Sequence, residues 1–222
     1  MSSKSLSVRP DQISQLIELS VLTEVPDVNE PAYIAGVSFD QQAQLEKLIP
    51  AQRTSAAVLV PIVERPEGLT LLFTQRASHL RRHAGQISFP GGRIEPADAG
   101  PMSAALRETE EEIGLSRDCV RIIGYLPKQI IFTGYCVTPV VGFVRPEFDL
   151  RLDENEVAEA FEVPITHFLD TSNHQSRERR IGELAAQVYD FHYGERRIWG
   201  ATAGIIMNLY RLLIEHSGKL QT

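Results

Sequence analysis

Residues 89–115, FPGGRIEPADAGPMSAALRETEEEIGL, constrain this chain more than any other stretch. Pro101 and Gly114 stand where a helix takes a first-turn proline and a terminating glycine, so the spacing predicts one helix over residues 101–113. At about 100° per residue, Glu108, Glu111 and Glu112 share a sector of roughly 100°, and Met102, Leu106 and Ile113 fall together on a different face. The apolar face is expected to pack, and the acidic one to hold negative charge.

That acidic face is locally unfavourable. Carboxylates three and four residues apart repel by about 0.2–0.5 kcal/mol per pair, and Glu111 and Glu112 lie near the negative end of the helix dipole. A solvated acidic face paired with basic neighbours is the plain alternative, but within the helix only Arg107 is nearby. The Gly91-Gly92 turn directly ahead lets the backbone approach a ligand with no Cβ in the way. Together these features point to a bound cation, and oxygen-only ligands suit Mg²⁺ or Mn²⁺.

The stretch before the helix has the opposite charge. Residues 69–94 contain no aspartate or glutamate, yet hold Arg76, Arg81, Arg82 and Arg93, with His79 and His83 between them. Such an arm beside a carboxylate cluster suits a substrate carrying several phosphates, because arginines hold the outer ones while a metal bridges carboxylate and reacting phosphate. Arg76, Arg81, Arg82, His83 and Gln86 are the substrate-binding candidates on the arm, and Lys128 joins them from the later segment PKQIIFTG. A second acidic run at 153–162 reads mostly as a solvated loop. Glu156 is its first choice to swing onto the metal site as a base.

Around this centre the chain reads as one substantial domain with an extension. Residues 1–50 are the expected N-terminal extension with a short helix, 51–216 the main domain and 217–222 a tail. An amphipathic helix is expected over 11–22 and another over 39–49. Strands are expected over 55–64 and 69–75, paired as a hairpin, then over 86–90, 120–126 and 136–144. A strand through Val163 and Pro164 should run into a short helix. Residues 171–180 read as a polar linker, followed by a hairpin around Gly194-Glu195 and a core helix over 202–215. Cys119 and Cys136 fit buried free thiols rather than a metal site or disulfide. The net charge of −7 argues against general nucleic-acid binding. No apolar run is long enough to span a bilayer and the polar start shows no signal-peptide pattern, so no membrane partner and a cytoplasmic location are expected. A homodimer is kept as an option.

Gly92, Arg107, Glu108, Glu111, Glu112 and Gly114 resemble the Nudix box, a glycine followed by R-E-x-x-E-E-x-G on a loop–helix–loop. The helical part matches throughout. The first acid of the box differs: Asp98 stands where a glutamate is usual, with one extra residue before Arg107. A second set, Leu72, Thr74, Arg76, Ala77, Arg81, Gly85 and Phe89-Pro90-Gly91-Gly92, is similar to the signature of the coenzyme A pyrophosphatase branch, with Phe73 as its one mismatch. The later IWGATA, from Ile198 to Ala203, also looks like that branch.

The resemblance implies an α/β fold, a Nudix α/β/α sandwich with a mixed β-sheet. It further implies hydrolysis of coenzyme A or its derivatives to 3′,5′-ADP and 4′-phosphopantetheine. Glu108, Glu111, Glu112 and Gly92 form the implied metal group, and Arg107 orients a helix glutamate. The catalytic candidates are then Arg107, Glu111 and Glu156. Two other readings stay open: a Nudix hydrolase of another nucleoside diphosphate compound such as ADP-ribose, and a non-catalytic nucleotide sensor.

Overall fold

A computed structural model of the chain describes residues 9–27, 32–45, 49–80, 83–181 and 183–218. In chain order the elements are α1 (Ile13–Ser20), β1 (Tyr33–Ile34), α2 (Gln42–Leu45), β2 (Thr54–Arg65), β3 (Gly68–Arg76), β4 (Ile87–Ser88), β5 (Gly91–Arg93) and α3 (Pro101–Ile113). They continue with β6 (Val120–Tyr125), β7 (Gln129–Ile131), β8 (Tyr135–Val144), β9 (Val157–Pro164), α4 (Ile165–Leu169), β10 (Gln175–Ile181), β11 (Leu184–Tyr193), β12 (Arg196–Trp199) and α5 (Gly200–His216).

Period-two alternation along the central strands decides the layering. In β2, Ala57, Leu59 and Val63 face one side, and Val58, Val60 and Ile62 the other. β8 divides the same way, with Val140 and Val144 against Val141 and Phe143. The first set packs with Ala104, Ala105 and Ile113 of α3; the second packs with Leu16 and Ile17 of α1 and with Ile205, Leu209 and Leu213 of α5. Both sheet faces are therefore covered, which is the α/β/α sandwich. The sheet is mixed: β2 runs parallel to β8 and β1 to β7, whereas β2–β3, β3–β9, β6–β8 and β7–β8 are antiparallel. A second sheet, β10-β11-β12, packs Phe191 and Ile198 into the core that α5 covers.

The ladder registers show how the sheet makes room for a site. β2 and β3 pair only over Ile62–Arg65 and Gly68–Leu71. Beyond that, Ala56–Val58 of β2 pair with β5, and Thr74 and Gln75 of β3 pair with β4. The two central strands diverge, and the turn carrying Gly91 and Gly92 fills the opening. Gly91 has φ 147°, and a Cβ there would run into the carbonyl of Ala57, so only glycine fits this position. Behind the turn, Thr202 Oγ1 in the first turn of α5 donates to Ile87 O at 3.0 Å, which ties the Ile198–Ala203 motif to β4.

Several expectations change. The buried arc of α3 is Ala104, Ala105, Thr109, Glu112 and Ile113, while Met102 is 42% exposed and Leu106 only partly buried. The packed face is rotated by roughly 90° from the one that the large apolar residues suggest, because alanines let the helix lie close on β2. Residues 175–181 are not a linker but the edge strand β10, paired with β11 along its length. Its residues up to Arg180 are exposed, so no alternation marks it. The acidic run at 153–162 becomes β9 from Val157 onward. Both cysteines are free but partly exposed rather than buried. Part of the expected extension joins the main core, since Ile13, Leu16 and Ile17 pack there. The expected helix at 39–49 is α2 preceded by a 3₁₀ turn at Phe39–Gln41, and its Leu48 lies outside the described residues.

If small side chains set the α3–β2 spacing, Ala105→Leu should destabilise the protein by about 1–3 kcal/mol through overpacking, whereas Met102→Gln should stay within about 0.5 kcal/mol. Thermal melts of the two variants check this, and equal melting temperatures would remove the argument.

Candidate active site

The helix is fixed at both ends. Pro101 occupies its first turn, and Gly114 closes it in the left-handed conformation at φ 68°, donating its N–H to Glu110 O. The last carbonyls then find partners in a later segment: Arg151 N–H donates to Ile113 O at 2.8 Å and Asp153 N–H to Glu112 O at 2.9 Å. Asp153 O in turn accepts from the N–H groups of Glu156 and Val157, at 2.9 and 2.8 Å. Those bonds bring Glu156 up to the helix.

Arg107 gathers the acids. Its Nε and Nη2 donate to the two oxygens of Asp98 at 3.1 and 3.0 Å, its Nη1 to Glu108 and Glu111 at 3.0 Å each, and Nη2 also to Arg93 O at 3.1 Å. These carboxylates, Asp98 first, hold the Arg107 proton more tightly than usual, and Arg107 with the Glu95 N–H keeps Asp98 below the ordinary carboxylate range. Glu111 remains mostly exposed.

Glu108 and Glu112 differ from Glu111 in being drawn inward. The Glu108 carboxylate lies against Gly92 so closely that a Cβ at that position would overlap it. Burial raises the Glu108 carboxyl, partly offset by Arg107. Glu112 is 5% exposed; its Oε2 accepts from Gly91 N–H at 3.1 Å, and its Oε1 faces Arg76 Nη1 at 3.7 Å. Burial pushes the Glu112 carboxyl up from 4.5 to about 7, with the negative charges of Glu108 and Glu156 adding and Gly91 N–H and Arg76 opposing. The charges of Glu108 and Glu156 thus bear on the buried Glu112 carboxyl, and a cation set against it would relieve that repulsion and the cost of burial. Among the described residues no three His, Cys, Asp or Glu side chains converge tightly enough to hold a metal as they stand. Arg107 occupies one oxygen of Glu108. Carboxylate oxygens alone make up the donor set, which fits a hard divalent cation.

The arm is brought to the same place at its first arginine. Arg76 N–H donates to Gln86 O at 2.9 Å and Gly85 N–H to Arg76 O at 3.1 Å, which closes the loop between them. Ala77 N–H donates to Glu156 O at 2.8 Å, and His79 Nε2 pairs with Asn155 O at 3.1 Å, so the arm and the Glu156 segment are bonded together. His83, at φ 58°, holds Gln86 Oε1 through Nδ1 at 2.8 Å. Arg81 and Arg82 lie outside the described residues. Lys128 is not brought to the helix by its strand: it precedes β7, which β8 and β2 separate from β3, and its carbonyl accepts from Tyr33 N–H. A cavity of about 690 Å³ is lined by Gln75, Gln86, Glu159, Arg196, Arg197 and Trp199, among others; none of the α3 carboxylates lines it. Asp98 is the residue that sequence reasoning undervalued. Its signal was present, an acid shortly before a helix whose arginine needs a partner.

A model of the NUDIX domain matches residues 53–184, more than half of the chain. The chain belongs to the Nudix family. The uncharacterized Nudix hydrolase NudL of Shigella flexneri serotype 5b is 44% identical over 160 residues, covering 72% of this chain and 83% of that protein. The protein of the same name from Escherichia coli (strain K12 / DH10B) is 45% identical over 154 residues, covering 69% and 80%. Among solved structures, a binary complex of the Caenorhabditis elegans Ap4A hydrolase aligns with a TM-score of 0.47 at 16% identity, covering 75% of this chain and 98% of that one. This Nudix protein is therefore a hydrolase acting on diphosphate bonds, and α3 with its two flanking loops is the Nudix box.

The folded Nudix protein holds the Glu112 proton more tightly than the unfolded chain does. Ionisation of Glu112 therefore costs stability as pH rises from 4.5 to about 7, and the loss is complete above that window. At about 1.4 kcal/mol per pKa unit the cost is about 3 kcal/mol in metal-free protein. In chelator, Glu112→Gln is expected to melt above the parent at about pH 8 and close to it at about pH 5. Parallel melting profiles across that range would show that the buried charge is compensated.

Proposed function

We propose that this Nudix hydrolase cleaves the diphosphate of coenzyme A or its derivatives to 3′,5′-ADP and 4′-phosphopantetheine, with Mg²⁺ or Mn²⁺ as cofactor. The observation that carries the reading is the meeting of Arg76 and Glu112. Arg76, the first arginine of the arm and part of the coenzyme A signature, faces the most buried carboxylate of α3, 3.7 Å away. Leu72, Thr74, Arg76, Ala77, Gly85 and the Phe89–Gly92 turn supply the rest of that signature among the described residues.

Glu108 and Glu112 are the residues that would hold the metal, with Glu111 next and Gly92 giving Glu108 room to approach the backbone. A bound divalent cation supplies charge neutralisation of the diphosphate, whose oxygens otherwise repel a nucleophile. Arg107 acts as a positioning residue, since its five hydrogen bonds fix Glu108 and Glu111 against Asp98. Glu156 takes the proton of the attacking water. Its main chain is held by the arm and by Asp153, which is itself bonded to the helix end, so the base is delivered by the same parts that bind metal and substrate. Water oxygen bonds to phosphorus, the anhydride P–O bond breaks, and the two phosphate products separate. Arg76 and the arm through Gln86 hold the outer phosphates, with Arg81 and Arg82 assigned there from sequence alone. The partner is a small molecule rather than nucleic acid or membrane, and the setting is the cytoplasm. Among the described residues no helix is long and apolar enough to cross a membrane.

Turnover of coenzyme A and ADP-ribose, measured side by side with Mg²⁺, tests the substrate: coenzyme A is expected to be cleaved faster, and faster ADP-ribose cleavage would sink the assignment. Glu112→Gln is expected to lower turnover by about a hundredfold or more, with the circular dichroism spectrum unchanged. Parent-like turnover in that variant would rule out a metal role for Glu112.

A further inference from the structure

The two arginines of the site are held very differently. Arg107 makes five hydrogen bonds, two of them to one carboxylate, and cannot leave without breaking all of them. Arg76 faces Glu112 across 3.7 Å, beyond direct hydrogen-bond length. Its contact is charge compensation without a fixed geometry. The Arg76 side chain also keeps 27% of its surface exposed, while that of Glu112 keeps 5%. The guanidinium therefore looks inward to a buried anion and outward to solvent. Its main chain, by contrast, is pinned in β3 and to Gln86 and Gly85, so the side chain can change partner while its anchor stays in place.

We propose that Arg76 is an exchangeable counter-ion: it neutralises Glu112 while no metal is held there, and transfers its charge to the substrate's diphosphate when a divalent cation takes over Glu112. The proposal rests on the reading of Glu108 and Glu112 as metal ligands and does not depend on coenzyme A being the substrate. It has two consequences. In the free protein the guanidinium and the metal compete for one carboxylate, so Arg76 weakens metal binding. With a diphosphate present the displaced guanidinium finds a second anion, so metal and substrate strengthen each other's binding. An arginine that only braces the fold does neither.

Binding of Mn²⁺ to the full chain in the absence of substrate, followed by the paramagnetic resonance signal of the free ion, reads the competition directly. Arg76→Gln is expected to tighten Mn²⁺ by about tenfold, the change for removing one positive charge ~5 Å from a divalent ion in a water-like dielectric. The same variant should raise KM for the diphosphate substrate more than it lowers kcat. Arg76→Lys, which keeps the charge, is expected to bind Mn²⁺ as the parent does. Arg76→Met, which keeps the aliphatic stem, is measured alongside, and either neutral variant that melts cooperatively serves. Unchanged or weaker Mn²⁺ binding in a folded neutral variant overturns the proposal. Glu112→Gln separates the two layers of the argument. If it binds Mn²⁺ like the parent, the metal reading fails and the exchange with it. If it loses Mn²⁺ while the neutral Arg76 variants bind like the parent, the exchange alone is overturned.

Discussion

A carboxylate held almost out of water is the constraint on which the rest of this structure turns. Glu112 lies in the packed arc of α3, where an isolated charge is costly. The surroundings are arranged to meet that cost. A backbone N–H reaches it from Gly91, a guanidinium stands beyond hydrogen-bond length, and the remaining deficit is what a divalent cation can fill. The divergence of β2 and β3 belongs to the same arrangement. It admits the turn that carries the N–H, and Gly91 is compelled there by the carbonyl of Ala57.

The second device is Arg107. A helix with Glu108, Glu110, Glu111 and Glu112 in sequence is poorly suited to standing alone, since its charges repel and some lie at the wrong end of the dipole. Arg107 links Glu108 and Glu111 to Asp98, outside the helix, and so anchors the repelling face to the loop before it. What began as a liability of the sequence becomes a rigid frame: Glu110 pairs with Arg117 outside it, and Glu112 is left to the Gly91 N–H and to Arg76.

How much of this was legible in the sequence depended on whether the signal was a backbone one or a packing one. The ends of α3 read to the residue because proline and glycine act on the backbone directly. The packed face did not, because Met102 and Leu106 outweigh two alanines in any count of hydrophobicity, although close approach favours the smaller side chains. β10 was invisible because an edge strand exposed on both faces shows no alternation and is held by its ladder. The link between the arm and the Glu156 segment was invisible for a related reason: main-chain bonds from Ala77 to Glu156 leave no mark in side-chain identity. Asp98 was visible as an acid, and its meaning emerged only from the fork of hydrogen bonds it shares with Arg107.

The segment from Arg151 to Val157 does two jobs with one run of main chain. At its start it satisfies the last carbonyls of α3, and at its end it enters β9 beside Arg76. Between those anchor points its length is counted. An added or missing residue there would pull Glu156 out of step with the helix, whereas residues 145–150 lie before the first anchor and are held by contacts of their own: Arg65 Nη1 donates to Pro146 O at 2.7 Å, and Phe148 and Leu150 pack against the core that holds Ile113. The connection between β8 and β9 is therefore two segments in series, one that seats itself on the core and one that acts as a ruler between the helix end and the sheet.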